Sequence, residues 1–268
     1  MTMTISWDEF FQEVPKEFSP LFAKGTTPWN VLDNLKAFIR EHIKPNLPDS
    51  VQPGVPLQEP MVLLPGGWMD EGFETVCNDD TKGKMQVWIE GEPVPEATLL
   101  CAGAIFTDYR VQLGKGVLVE PGAMIKGPSI ILDKAQVRQA AYIREDCIIG
   151  PGSVVGHATE LKHSIFLDEA KAGHFAYVGD SILGNDVNLG AGTKLANLKF
   201  APGSVTIKGP DGAKIDTGRR KIGAILGDKV QTGCNSVTNP GVFLGKNSMV
   251  APNSTVKPGY YPARTIIR

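Results

Sequence analysis

Cut into blocks of six, residues 113–167 read LGKGVL VEPGAM IKGPSI ILDKAQ VRQAAY IREDCI IGPGSV VGHATE LKHSIF L. The first position of every block is aliphatic, from Leu113, Val119 and Ile125 through Val155 to Leu161 and Leu167. Four places further on comes a small or β-branched residue: Val117, Ala123, Ser129, Ala135, Ala141, Cys147, Ser153 and Thr159. A period of six fits neither the 3.6 of a helix nor the alternation of a strand. One large and one small inward residue per block suit a short strand and a corner, and three blocks close a triangular coil of about 18 residues. The expected fold is mainly β: a left-handed parallel β-helix of hexapeptide repeats.

Downstream the period falters near Gly173, where Val178 to Leu183 is a step of five. It resumes at Leu189 and Leu195 and returns as Leu226, Thr232, Thr238, Leu244, Val250 and Val256. The β-helix is therefore expected over residues 101–262, in about seven coils of this length. The interruption, 201–221, carries two short strand patterns around Gly209-Pro210-Asp211-Gly212, which predicts a hairpin projecting from the prism. Because it leaves through Arg219-Arg220-Lys221, it reads either as a plain insertion or as an anion-binding element.

Residues 1–100 lack the repeat and read as a small α+β region. Ser6 to Glu9 has the pattern of a capping box, and Thr27-Pro28 suits the start of a helix. Trp29, Leu32, Leu35, Phe38, Ile39 and Ile43 then form an apolar stripe at helical spacing, a core-facing pattern. After a proline-rich connector from Pro45 to Pro60, strands are expected near Met61 to Leu64 and Met85 to Ile89.

The composition narrows the partners. Lys+Arg 27 against Asp+Glu 29 gives a net charge of −2, so no bulk field draws nucleic acid or an anionic membrane, and any anion needs a local cluster. No apolar run is long enough to span a bilayer, and Met1 to Asp8 lacks a signal-peptide pattern, so a cytoplasmic location is expected. The four cysteines, Cys77, Cys101, Cys147 and Cys234, form no C-x-x-C pair, which argues for reduced thiols rather than a disulfide or zinc framework.

Two features of the repeat bear on chemistry. Lys126, Arg144 and Lys162 are eighteen residues apart, so one corner of three successive coils is basic. Such a column is either solvated surface or a place to gather a phosphate, and the arithmetic puts no Asp or Glu in it between Lys126 and Lys162. The histidines His157, His163 and His174 are spaced by six and eleven, which does not match the zinc-binding β-helices, so no metal site is expected. His174 lies where the hexapeptide breaks, and broken rules tend to mark function.

The run Gly173-His174 through Tyr177-Val178-Gly179-Asp180, then Asn185 to Thr193, then Ala196-Asn197, resembles a known family. It looks like the acetyltransferase domain of the bifunctional glucosamine-1-phosphate acetyltransferase and N-acetylglucosamine-1-phosphate uridyltransferase. Asn197-Leu198-Lys199-Phe200 and Gly218-Arg219-Arg220-Lys221 bring it closer to the archaeal sugar-1-phosphate nucleotidyltransferases that carry the same domain. The resemblance covers about residues 110–260.

Residue by residue, the resemblance implies His174 as catalytic base, with Asn188 and Asn197 contacting the amino sugar and orienting the reacting groups. It implies Arg144, Lys162 and Tyr177 at the sugar phosphate. Ala191 falls on a backbone contact near the acyl group, and Cys234 on a serine that helps hold the acetyl-CoA carbonyl. Acetyl-CoA is then a cosubstrate, the transfer needs no metal, and a homotrimer places the site between subunits. The implied activity is N-acetylation of an amino-sugar phosphate, glucosamine 1-phosphate first, in UDP-N-acetylglucosamine synthesis. Two departures stand out. The family's substrate-binding lysine after Asn-Tyr-Asp-Gly has no counterpart beside Leu198-Lys199, and residues 1–100 lack the glycine-rich phosphate loop of the uridyltransferase half. A different hexosamine phosphate, a nucleotide-linked amino sugar, or a non-catalytic binding subunit therefore stay open as alternatives.

Overall fold

The computed structural model describes residues 5–77 and 85–268; Met1 to Thr4, part of the stretch read for a targeting signal, lies outside the described residues. From Thr98 onward the chain winds as a three-sided parallel β-solenoid of about nine turns. The first face runs from Thr98–Leu100 through Val154–His157, Lys171–His174 and Asn188–Leu189 to Ile266–Ile267. The second runs from Ile105–Phe106 through Glu160–Lys162, Tyr177–Gly179 and Lys194–Leu195 to Thr255–Val256. The third runs from Val111–Leu113 through Cys147–Ile149 and Ile165–Phe166 to Gly259–Tyr261.

The repeat explains why. Every inward position named above from Val119 to Leu161 is fully or almost fully buried in one continuous core, and the small residues four places on fill the corners beside it. Each buried aliphatic side chain contributes roughly 1.5–3 kcal/mol, and the small corner residue is what lets three strands close around them. The corners bend through single residues in the left-handed region, among them Asp146, Ala158, Phe175 and Asp186 with φ of 61°, 51°, 34° and 56°. The cost of that conformation in non-glycine residues is offset by hydrogen bonds between stacked corners, such as Phe175 N–H to His157 O at 2.9 Å.

The structure departs from the sequence reading in three places. The stack is longer than seven coils, because Thr98–Leu100 and Ile266–Ile267 already belong to it. The first five-residue step precedes Gly173: after Leu161 the inward residue is Phe166, while Leu167 points out into the cluster beneath the N-terminal segment. Up to there Tyr142 pairs with Glu160, eighteen residues on, but Ile148 pairs with Ile165, only seventeen on, so the corner between Lys162 and Ser164 has lost one residue. Lastly, the hairpin of Thr206–Lys208 and Lys214–Asp216 forms with the expected turn but does not project. Val205 and Ile207, each 2% exposed, are buried in the cluster on the outside of the third face.

That cluster also answers where the N-terminal stripe goes. The helix Pro28–His42, capped by Thr27 Oγ1 accepting from Asn30 N–H at 3.4 Å, lays Trp29, Leu32, Leu35 and Ile39 on Ile130, Ile148, Ile182 and Phe243 of the third face. Met61–Leu64 pairs antiparallel with Thr98–Leu100 and with Gly67–Met69 on its other side, so a hairpin covers the open edge of the first solenoid strand.

Candidate functional site

The two groups of sequence-singled residues fall on two corners of the prism. The first group stacks where the first face turns into the second. His157 and His174 are register partners on adjacent coils, and the next coil places Ala191–Gly192 over His174, with Gly192 N–H donating to His174 O at 3.1 Å. Cys234 follows in the coil after that, where Asn235 N–H donates to Ala191 O at 2.8 Å. His174 and Cys234 are exposed. Among the described residues the Ala191 N–H has no hydrogen-bond partner. Asn188 is exposed on the first face, stacked between Lys171 and Gln231.

The second group sits where the second face turns into the third. Lys162, Tyr177 and Asn197 are gathered around Asp180, which is 4% exposed. Lys162 Nζ lies 3.3 Å from Asp180 Oδ2, Asn197 Nδ2 donates to the same oxygen at 2.5 Å, and Tyr177 Oη donates to Asn197 Oδ1 at 3.4 Å. Arg219 closes the far side, with Nη2 3.4 Å from Asp180 Oδ1 and Nη1 paired to Asp33 of the N-terminal helix. Burial, and then the negative charges of Glu160 and Asp180, hold the Tyr177 hydroxyl above its usual range, so it stays protonated and able to donate.

The basic column is real but not bare. Lys126 pairs with Glu145 at 3.1 Å, Arg144 with Glu160 at 3.1 Å and Lys162 with Asp180 at 3.3 Å. Glu145 and Glu160 stand beside the column, whereas Asp180 is its next step, eighteen residues beyond Lys162 and one past where the count ended. Asp180, Glu160 and His157 thus join the site without having been singled out for it. The shortened corner hid one pairing, His157 one coil below His174, seventeen residues away, while Asp180 stacks seventeen residues below Asn197 across the step of five from Val178 to Leu183. Arg219 and Arg220, read as a possible anion element, are engaged internally, since Arg220 Nη1 donates to Lys199 O at 3.2 Å.

His163 belongs to neither group. Its Nε2 is 3.0 Å from Leu32 O, and burial holds its pKa below the ordinary value, so it is a neutral tie between the corner and the N-terminal helix. Cys101 and Cys147 are pushed up to about 12 by burial and are inert as nucleophiles at neutral pH. A cavity of about 530 Å³ lies elsewhere, where Glu13, Asp168, Glu169, Asp186 and Asp228 outnumber Lys229 and Lys246.

Comparison with known proteins locates the likeness on this part of the chain. The family model of the GMPPB C-terminal domain matches residues 125–239. A bifunctional sugar-1-phosphate nucleotidylyltransferase/acetyltransferase of Sulfurisphaera tokodaii is 36% identical over 156 residues, covering 52% of this chain and 39% of that protein. The C-terminal part of the chain is homologous to such bifunctional proteins. The bifunctional protein GlmU of Methanococcus vannielii is 41% identical over 118 residues, covering 43% of this chain and 28% of its own. The chain therefore spans well under half the length of the curated relatives it matches. Among solved structures, PerB from Caulobacter crescentus, in complex with CoA and GDP-perosamine, aligns over 62% of this chain and 53% of its own at 19% identity and a TM-score of 0.27.

Proposed function

We propose that the chain is an N-acetyltransferase that moves the acetyl group of acetyl-CoA to an amino-sugar phosphate, with glucosamine 1-phosphate as the acceptor of first choice, and that it works as a cytoplasmic homotrimer. The observation that carries this reading is the corner column in which an exposed His174 lies one coil below Ala191, whose N–H has no partner among the described residues. An imidazole suits removal of a proton from the C2 amine, and a free backbone donor one coil above suits the thioester oxygen as it gains negative charge. Cys234, one further coil along, extends the same strip for the acyl donor.

Lys162, Tyr177 and Asn197 then receive the sugar and its phosphate, with Arg144 beside them. They sit at the opposite end of the second face from His174, so a complete site draws one corner from each of two subunits. The covering of the third face by the N-terminal helix and hairpin supports this, because it leaves for association the second face and the first face beyond its opening coils, where Leu99 and Leu118 pack on Val62 and Val87. Homology to proteins named as acetyltransferases supports the reaction class.

The charge balance favours a second acceptor class enough to test it. Glu160 and Asp180 already neutralise Arg144 and Lys162, which suits an acceptor whose phosphate lies further out, as in a nucleotide-linked amino sugar. Incubating the protein with acetyl-CoA and a panel of amino-sugar 1-phosphates, 6-phosphates and nucleotide-linked amino sugars, with free thiol release as readout, separates these. Release with glucosamine 1-phosphate above all others is expected. Silence across the panel would make the chain a binding subunit.

A further inference from the structure

His157 and His174 end adjacent strands of the first face, each one residue before a corner residue of positive φ, Ala158 and Phe175. Their Nδ1 atoms are 3.3 Å apart with ring planes at 75°. The backbone enforces the approach: a Cβ on Gly156 would stand 1.9 Å from Gly173 O, so glycine at that position lets the two coils close.

Two ring nitrogens in hydrogen-bond contact require one donor and one acceptor. If His157 donated, the Nδ1 of His174 would be occupied and its single proton would sit on Nε2, leaving no lone pair to take a proton from an amine. With His174 donating from Nδ1, its Nε2 lone pair is free. The geometry points to His157 as a positioning residue that holds His174 in the Nδ1–H tautomer and thereby makes it a base, an inference that rests on the acetyltransferase reading above. His157 carries its own proton on Nε2 and accepts at Nδ1.

The same contact serves the charged state. When Nε2 of His174 takes a proton from the acceptor amine, its Nδ1–H becomes a charge-assisted donor to neutral His157. A second proton would place two positive rings 3.3 Å apart, so the contact has room for one charged ring and one neutral acceptor. Among the described residues no carboxylate bonds either ring. The nearby cations are engaged elsewhere, Lys171 with Glu169 at 3.2 Å and Lys194 with Gly192 O at 2.8 Å.

The test uses the full chain with nitrogen-15 histidine, where a protonated pyrrole-type nitrogen and a bare pyridine-type nitrogen give separate signals, assigned with His157→Asn and His174→Gln. His174 should be pyrrole-type at Nδ1 and pyridine-type at Nε2 at neutral pH. In His157→Leu that signal should become a mixture of tautomers and kcat should fall about tenfold, the worth of one intramolecular hydrogen bond, with KM for acetyl-CoA unchanged. His157→Asn, whose Oδ1 can accept, should recover most of the loss. A wild-type His174 protonated at Nε2, or a His157→Leu protein with unchanged spectrum and kcat, would overturn the inference. A wild-type protein with the Nδ1–H tautomer but no turnover would uphold the tautomer assignment and sink the acetyltransferase reading instead.

Discussion

Asp180 is where the phosphate corner is held together, and replacing it by alanine should have two separable consequences. Its carboxylate anchors Lys162 and Arg219, whose side chains are 18% and 13% exposed, and it accepts from Asn197. Leaving one partner of a buried pair uncompensated costs about 3–5 kcal/mol. Arg219 keeps Asp33, so the lower end applies, about 3 kcal/mol. At roughly 2–4 °C per kcal/mol for a chain of this size, the midpoint of thermal unfolding should fall by about 6–12 °C. Asp180→Asn should not rescue it. Donors approach both carboxylate oxygens, Arg219 at Oδ1 and Lys162 with Asn197 at Oδ2, and an amide presents an acceptor to only one side. With Lys162 and Asn197 released, KM for the acceptor should rise while KM for acetyl-CoA holds. Calorimetry and steady-state kinetics on the two variants give both numbers. A midpoint within 2 °C of the parent, with unchanged acceptor KM, would refute the account of this corner.

Three further outcomes are expected. Burial holds His163 below its unfolded value near 6.5, so below that pH the unfolded chain binds the extra proton and stability falls; His163→Gln should flatten the loss of melting temperature between pH 7.5 and 5.5. Gly156→Ala pushes a methyl into Gly173 O and should cost about 1–3 kcal/mol while separating His157 from His174, read as a lower midpoint together with reduced kcat. Trp29, 8% exposed and 5.7 Å from the Phe243 ring, pins the N-terminal helix to the third face; Trp29→Ala should cost about 3–5 kcal/mol and speed proteolysis of residues 5–43 relative to the solenoid.

The solenoid was legible because its repeat is a packing rule: a large residue at Val119, Ile125 or Val137 and a small one at Ala123 or Ala141 admit one cross-section. The hairpin turn and the strands Met61–Leu64 and Met85–Ile89 were legible from local chemistry alone. Phe166 was missed because a deletion of one residue in a corner changes the phase without changing the composition, and Leu167, equally apolar, satisfied the old phase from the outside. The same slip concealed His157 beneath His174. The docking of the hairpin and of the N-terminal stripe depends on outward residues such as Ile130, Ile148 and Phe243, which a search for inward positions passes over. Basic residues were visible in a column, but their partners Glu145 and Glu160 lie on neighbouring positions that only the folded corners bring to 3.1 Å, and Asp180 is the step of eighteen after Lys162, where the count had stopped.

The central claim is that His174 takes the proton from the acceptor amine, and the turnover of His174→Ala tests it most directly. The variant changes one exposed side chain and should unfold at the parent's temperature with the parent's oligomeric state. Its kcat for acetyl transfer should drop by about 10² to 10⁴, the range for loss of a general base, and the acidic limb of the kcat profile should vanish. A folded His174→Ala protein that releases thiol from acetyl-CoA at close to the parent rate would contradict the account.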